Sequence, residues 1–478
     1  MGFIYTKKFL FVFILVAAGI VFFHRLGESP LAGDDCFYSE VAKEMALSGD
    51  YMSPQYAHAV NFHTSKPPVL FWINAVSGKL FGFNTAAMRL PSAALCFLGI
   101  IALLFFVNRY FDFITAFFAA LILAFTQQYL YHARSAVTDG PFAVFFSLTL
   151  MAFWVARSEK RNSYFYLTGL FLGLAVMTRQ IPGFFTLPAI FVYIVLSKEF
   201  EILKNRHFWL GLLLSAFIFM PWHILMYLRH GKFFLDQYLA VSLMTGLKGY
   251  PVSYAGNPSL NPWYAYYSII LSNYWPWLPL FAAGLIQSFR KLARQDAEKR
   301  KKFLYIISWF LVPLLIFQTA KVKQYHYIVP LYVPMAVLSA SFLGSLSAAA
   351  KRKWILILVS VISAYTAACI IFPLVPKTLD SREYTDTIKL VPEVKQVKGT
   401  IHTIQRGAAH YMNCFWFYAD KGTDISAENE LPALIDSGIP GTFVLFKEDY
   451  QRLIKDNLSG KIHIIKETTD SVLFNNSK

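Results

Sequence analysis

Residues 29–51 read SPLAGDDCFYSEVAKEMALSGDY, and two adjacent acids, Asp34 and Asp35, stand just after an apolar run over residues 9–23. Only 15% of the chain is charged, so paired carboxylates beside a membrane-length apolar segment need a reason. The stretch predicts a helix from Asp35 to Leu47, with an aspartate capping its start and Gly49 just past its end. Phe37, Val41 and Met45 recur every four residues and give that helix one apolar stripe.

The rest of the chain is far more apolar than this stretch. Its 478 residues are 56% hydrophobic and 17% aromatic, with 46 Phe and 27 Tyr. Mean hydropathy is +0.45, whereas a soluble protein carries roughly a quarter charged residues. About eleven segments are long enough to cross a hydrocarbon core about 30 Å thick. They are residues 9–23, 93–108, 113–131, 139–156, 164–178, 181–197, 208–227, 263–288, 303–319, 327–348 and 354–374. In lipid only structures that satisfy their own backbone survive, so this part is expected to be all-α and polytopic. The first segment could pass for a secretory signal, but no small-x-small cleavage site follows it, and it reads as a retained helix.

Orientation follows from Lys and Arg. They crowd into alternate turns: TKK (6–8), Arg109, RSEKR (157–161), KEFEILKNR (198–206), RKLARQDAEKRKK (290–302) and KRK (351–353). These turns are expected in the cytoplasm with the N-terminus, and they explain most of the +16 net charge without nucleic acid. Residues 1–375 then form a membrane domain. That domain includes a first outer loop (24–92) holding interfacial helices and a second outer loop (228–262) as a possible lid, and a tail from 376 to 478 follows it on the outer side. In the tail, GTIHTI, GTFVLF and KIHIIKE look like strands between helical AAHYMNCFWFYA, ENELPALIDSG and EDYQRLIKDNL. That alternation predicts a small α/β domain, read as a stabilising or acceptor-docking unit. Of the four cysteines, Cys96 and Cys369 fall in spans and read as packing residues. Cys36 and Cys414 both fall outside, where a disulfide between them is allowed but not required by spacing.

The outer-side charges gather at helix ends: Asp34 and Asp35, Lys66, Arg134 and Asp139, Arg179, and Lys321 and Lys323. Singly, each has a structural reading as a cap, a turn residue or a cation reaching the headgroups. Together, at one depth, they suit a reaction on a lipid carrier. Fixed cations bind the phosphate, whose charge grows as the sugar leaves, and a carboxylate takes the proton of an attacking hydroxyl. No nucleotide-binding glycine loop is present, as fits a lipid-linked donor. The competing class, a lipid or sugar transporter or flippase, would show inverted repeats and midplane charges, and neither is visible.

These residues resemble a known class. DDCFYSEVAKEMALSGDYMSP (34–54) and KPPVLFWINAVSGKLFGFNTAAMRLPSA (66–93) are similar to the first outer loop of GT-C membrane glycosyltransferases. The likeness is to the lipid A aminoarabinose transferases and the dolichyl-phosphate-mannose-protein mannosyltransferases. RSAVTDGPFAVFF, GLAVMTRQIPGF and KVKQYHYIVPLYVPMAVL follow in the same order, so the likeness covers roughly residues 30–345.

The resemblance implies an inverting transferase that uses a polyprenyl-phosphate-linked sugar, with its site on the outer face of the bacterial inner membrane. The acceptor would be a lipid A-like glycolipid, a protein or another glycan. Asp34 becomes the key acid, beside Asp35, and Asp139 the second acid. Lys66, Lys321 and Lys323, with Tyr327, fall at the phosphate-binding positions, and Arg134 joins them by position and charge. Some relatives hold a metal with a Glu where this chain has Ser65, and Asp35 replaces their usual Glu. A divalent ion therefore stays open, with His63 either its ligand or a polar surface residue.

Overall fold

The computed structural model describes residues 6–56, 58–62, 66–240, 262–292, 296–321, 323–375, 385–404, 414–437, 439–453 and 461–476. The chain folds into two compact units. One comprises Met1–Leu26, Asn61–Leu70 and Arg89–Val375; the other comprises Gly27–Val60, Phe71–Met88 and Pro376–Lys478.

In chain order the helices begin with α1 (Lys7–Phe23), α2 (Asp34–Ser48), α3 (Val69–Phe81) and α4 (Thr85–Tyr110). Next come α5 (Phe113–Ala124), α6 (Gln127–Ala133), α7 (Asp139–Glu159), α8 (Ser163–Arg179), α9 (Thr186–Ser197) and α10 (Arg206–Phe234). After a gap in the described residues follow α11 (Ala265–Tyr274), α12 (Leu278–Lys291), α13 (Ala297–Thr319), α14 (Tyr332–Gly344) and α15 (Ala348–Ile371).

Among the described residues six helices are long and apolar enough to cross a membrane, or eight if each bent pair is one span. The chain is a multi-pass membrane protein. The expected spans 113–131 and 263–288 are the two bent pairs, breaking by 68° after Ala124 and by 112° after Tyr274. At the second break Pro276 and Pro279 remove backbone donors and clash with a continuing helix. At the first, Thr126 is extended (φ −79°, ψ 118°). The segments expected at 9–23 and 164–178 are helices of 17 residues, at the short end of what spans a bilayer.

Helix α8 lies flush against α10 because small residues face the contact. A Cβ on Gly169 would strike the Gly211 carbonyl, and one on Gly173 would strike Ile218. Residues 228–240, expected within a loop, continue α10 beyond a break at Gly231 (φ 54°). Residues 241–261 of the expected lid lie outside the described residues.

The basic turns converge. Arg157 of RSEKR pairs with Glu199 of KEFEILKNR and, at 2.6 Å, with Glu298 of the 290–302 turn. Lys301 reaches Glu199 at 2.9 Å, and the Tyr193 hydroxyl donates to it at 2.6 Å. Burial by itself would raise the Glu199 carboxyl, but these donors hold it down at about 2. Helix α7 has 21 residues, so its start at Asp139 lies about 30 Å along the axis from this network.

In the second unit, α2 is buried on nearly all sides, polar Ser39, Glu40 and Glu44 included. Its N-cap is Gly33 (φ 57°) rather than an aspartate, so both acids enter the first turn, and Gly49 (φ 79°) ends the helix as expected. A two-stranded ribbon, β1 (Gln55–Tyr56) with β2 (Ala59–Val60), follows. The tail forms a five-stranded sheet. Its strands are β3 (Ile401–Ile404), β4 (Thr423–Ser426), β5 (Thr442–Phe446), β6 (His463–Glu467) and β7 (Ser471–Asn475), in the order β4-β3-β5-β7-β6. β3 runs parallel to β4 and β5, whereas β7 is antiparallel to both β5 and β6. One core packs Leu390, Val394 and Phe415 on Val444 and Leu473; a second packs Leu431 and Ile435 on Leu445 and Phe474. β4 and β7 were not foreseen. Helix predictions over 408–419 and 448–458 reach partly beyond the described residues.

Glu40 is 2% exposed, and its carboxyl is pushed up to about 7. The main cause is burial, opposed by Lys43 and reinforced by Glu44 and Asp420. A carboxyl raised on folding stabilises fully below its ordinary 4.5, and that stability is lost as pH rises through about 7. Glu40→Gln is therefore expected to stabilise this unit above pH 7 by on the order of 3 kcal/mol and to change little at pH 4. Unfolding midpoints of both proteins across that range measure it.

Candidate functional site

The charged residues of the first unit meet at the start of α7. Asp139 opens that helix and Arg179 closes α8, and both are buried. The Arg179 guanidinium donates to the Asp139 carboxylate and, at 3.1 Å, to the Thr138 hydroxyl. Its other face covers the Tyr327 ring, 5.3 Å from the centroid. Asp139 is not a cap, since Thr138 holds the N-cap position. A buried ion pair of this kind is expensive to form and to break, which makes it a poor device for stability and a good one for fixing geometry.

The local fold makes this meeting possible. A Cβ at Gly140 would sit 2.8 Å from the Cys96 sulfur and from the His132 carbonyl, so only glycine lets the end of α6 approach the start of α7. That approach puts His132 Nδ1 at 3.9 Å from Asp139. His132 is buried, stacks on Tyr325 at 5.7 Å, and among the described residues has no hydrogen-bond partner on either ring nitrogen. His326 lies 6.2 Å from His132, within electrostatic reach of Asp139, Arg179 and Lys66. Gln128 of α6 ties the turn Tyr325–Leu331 in place by donating to the Tyr325 carbonyl at 2.6 Å. The buried Tyr266 hydroxyl, also without a hydrogen-bond partner among the described residues, interacts electrostatically with Arg179 and Tyr327.

The anticipated residues therefore divide. Asp139, Arg179 and Tyr327 share this cluster, and Lys66 lies within electrostatic reach of His326 beside it. Lys321 is exposed and Lys323 half-buried just before the Tyr325–Leu331 turn, the latter donating to the Ala320 carbonyl at 2.9 Å. Arg134 is fully buried, and its guanidinium donates to the carbonyls of Val21, Phe22, His24 and Arg25 where α1 ends. Those carbonyls are the ones a helix terminus leaves unsatisfied, and a cation is favoured there. Asp34 and Asp35 belong to the second unit, Asp34 exposed and Asp35 1% exposed.

His63 and Ser65 lie outside the described residues. Among the described residues no three His, Cys, Asp or Glu side chains are grouped as a divalent ion requires, and Asp139 is already engaged by Arg179. His132, His326 and Tyr266 were not anticipated. Each sits in an aromatic run (QQYLYHA, KQYHYIV, WYAYYS) where a lone polar ring looks like packing.

A family described as dolichyl-phosphate-mannose-protein mannosyltransferase matches residues 65–225, which contain Lys66, Asp139 and Arg179. The structure of ArnT from Cupriavidus metallidurans bound to undecaprenyl phosphate superposes with a TM-score of 0.79 at 17% identity, covering 97% of each chain. The chain shares the fold of that transferase. A second GT-C structure, the Archaeoglobus fulgidus oligosaccharyltransferase, gives a TM-score of 0.61 at 13% identity over 99% of this chain and 75% of the other. At such identities the likeness is one of fold.

Sequence relatives agree. An uncharacterized protein of Aquifex aeolicus is 28% identical over 78% of this chain and 73% of its own length. The undecaprenyl phosphate-alpha-4-amino-4-deoxy-L-arabinose arabinosyl transferase of Photorhabdus laumondii is 27% identical over 65% of this chain. The match spans only 54% of that transferase.

Proposed function

We propose that this GT-C protein is an inverting glycosyltransferase that takes a sugar from a polyprenyl-phosphate carrier and passes it to an envelope acceptor. The observation that carries the reading is the buried Asp139–Arg179 pair at the end of α7 remote from the basic turns, with Lys66 in electrostatic reach of the same cluster. Relatives named for undecaprenyl-phosphate and dolichyl-phosphate sugars support the donor class. The basic network at the other end supports a cytoplasmic N-terminus and an outer, periplasmic site. The Cys36–Cys414 disulfide suits the same compartment.

In this reading the acceptor hydroxyl attacks the anomeric carbon from the face opposite the phosphate. The new carbon–oxygen bond forms as the bond to the phosphate oxygen breaks, which inverts the centre. The hydroxyl proton passes to the Asp34 carboxylate, and the carrier leaves as polyprenyl phosphate. Lys66, Lys321 and Lys323 stabilise the charge that grows on that phosphate. Arg179 holds Asp139, and Arg134 holds the end of α1. A phosphate acceptor would need no base, and Asp34 would then act electrostatically. The acceptor class is glycolipid, protein or glycan.

Mass spectrometry of envelope glycolipids and glycoproteins, with and without the gene, tests this. Loss of one sugar increment together with accumulation of a lipid-linked sugar is the expected result. Unchanged glycans and unchanged carrier pools would overturn it.

A further inference from the structure

We infer that the tail domain is the positioning element for the acid-bearing turn of α2, acting through a clamp built from residues 414–420. This inference rests on the proposed role of Asp34. The clamp is covalent at one point, the disulfide joining Cys36 to Cys414 across 378 residues of sequence. Cys36 stands in the first turn of α2, directly after Asp34 and Asp35. Two turns further along the same face, Lys43 donates to the Phe417 carbonyl at 2.8 Å and to the Asp420 carboxylate at 2.6 Å. Glu40 lies between them on that face, buried, and feels both Lys43 and Asp420. Ahead of the helix, Leu31 N–H donates to the Tyr418 hydroxyl at 3.0 Å, and Tyr418 also meets Thr85 at 2.8 Å. Trp416 packs edge-on against His58 at 5.2 Å.

The short helix 414–419 thus grips α2 before, at and beyond the turn that carries the acids. A solvated surface helix needs no such fixture. A base that must meet an attacking hydroxyl within hydrogen-bond range does, because a displacement of about 1 Å can cost a hundredfold in rate. A domain that only stabilised the protein would be joined anywhere on its surface. This one is joined to the first turn of α2.

The test uses the full chain in proteoliposomes, with the lipid-linked sugar fraction extracted from host membranes as donor. C36S/C414S is expected to lower kcat roughly ten- to a hundredfold and to leave the donor KM within about twofold. Amide exchange over residues 34–48 should quicken in the same variant. Lys43→Ala should show a smaller fall in kcat that Lys43→Arg restores, which keeps the inference testable if the cysteine variant fails to fold. A wild-type kcat in both C36S/C414S and Lys43→Ala, or a change in KM alone, would overturn it. Asp34→Asn is measured alongside. If it is inactive while the clamp variants run at the wild-type rate, the clamp alone is refuted. If it is fully active, the role of Asp34 falls and the clamp's purpose with it.

Discussion

Asp34→Asn is expected to lower kcat by about a hundredfold to ten-thousandfold, the usual contribution of a positioned general base, with the donor KM nearly unchanged. The physical ground is the contrast between two neighbours. Asp35 is 1% exposed, whereas Asp34 is exposed at the start of α2 and free to meet a substrate. An asparagine keeps the size and the acceptor oxygen but cannot take a proton. The loss should therefore fall on the chemical step and not on carrier binding. Initial rates against donor concentration, for wild type and variant in the same lipid, give both parameters. A wild-type kcat would remove the base role.

The second large effect concerns the buried pair. Arg179→Met leaves the Asp139 carboxylate without the guanidinium that compensates it, and breaking such a pair costs roughly 3–5 kcal/mol. The double variant Asp139→Leu with Arg179→Met removes both charges and should regain most of that stability, since an apolar pair of similar volume is often no worse. Its transfer activity should stay absent. Unfolding midpoints and turnover on the three proteins separate the two jobs. A double variant that is stable and active would show that the pair does nothing but hold the helices.

Some of this was legible in the residues. The helix over 34–48 could be read because Gly49 and the Phe37, Val41, Met45 spacing both depend on local geometry. Its cap was misjudged, because the choice between Gly33 and an aspartate depends on a backbone angle that no side chain reveals. Hydropathy placed the apolar segments, yet it averages over a window and so ran through the breaks after Ala124 and Tyr274, although Pro276 and Pro279 were there to be weighed. The charges near these helix ends were visible one by one. Their pairing was not, because Asp139 meets Arg179, 40 residues away, only where the start of α7 and the end of α8 come together in the folded chain. Arg134 looked like its neighbours by type and depth, and only the carbonyls around it assign it to the end of α1. The strands Thr423–Ser426 and Ser471–Asn475 were not foreseen.

Transfer itself is the decisive measurement. The purified chain is reconstituted with a lipid-linked sugar extract and an acceptor fraction from the same envelope, and the products are followed by mass spectrometry. The predicted result is free polyprenyl phosphate released in equal amount to sugar gained by the acceptor, with the anomeric configuration inverted. Lipid-linked sugar that remains intact, whether unmoved or carried to the other leaflet, would contradict it.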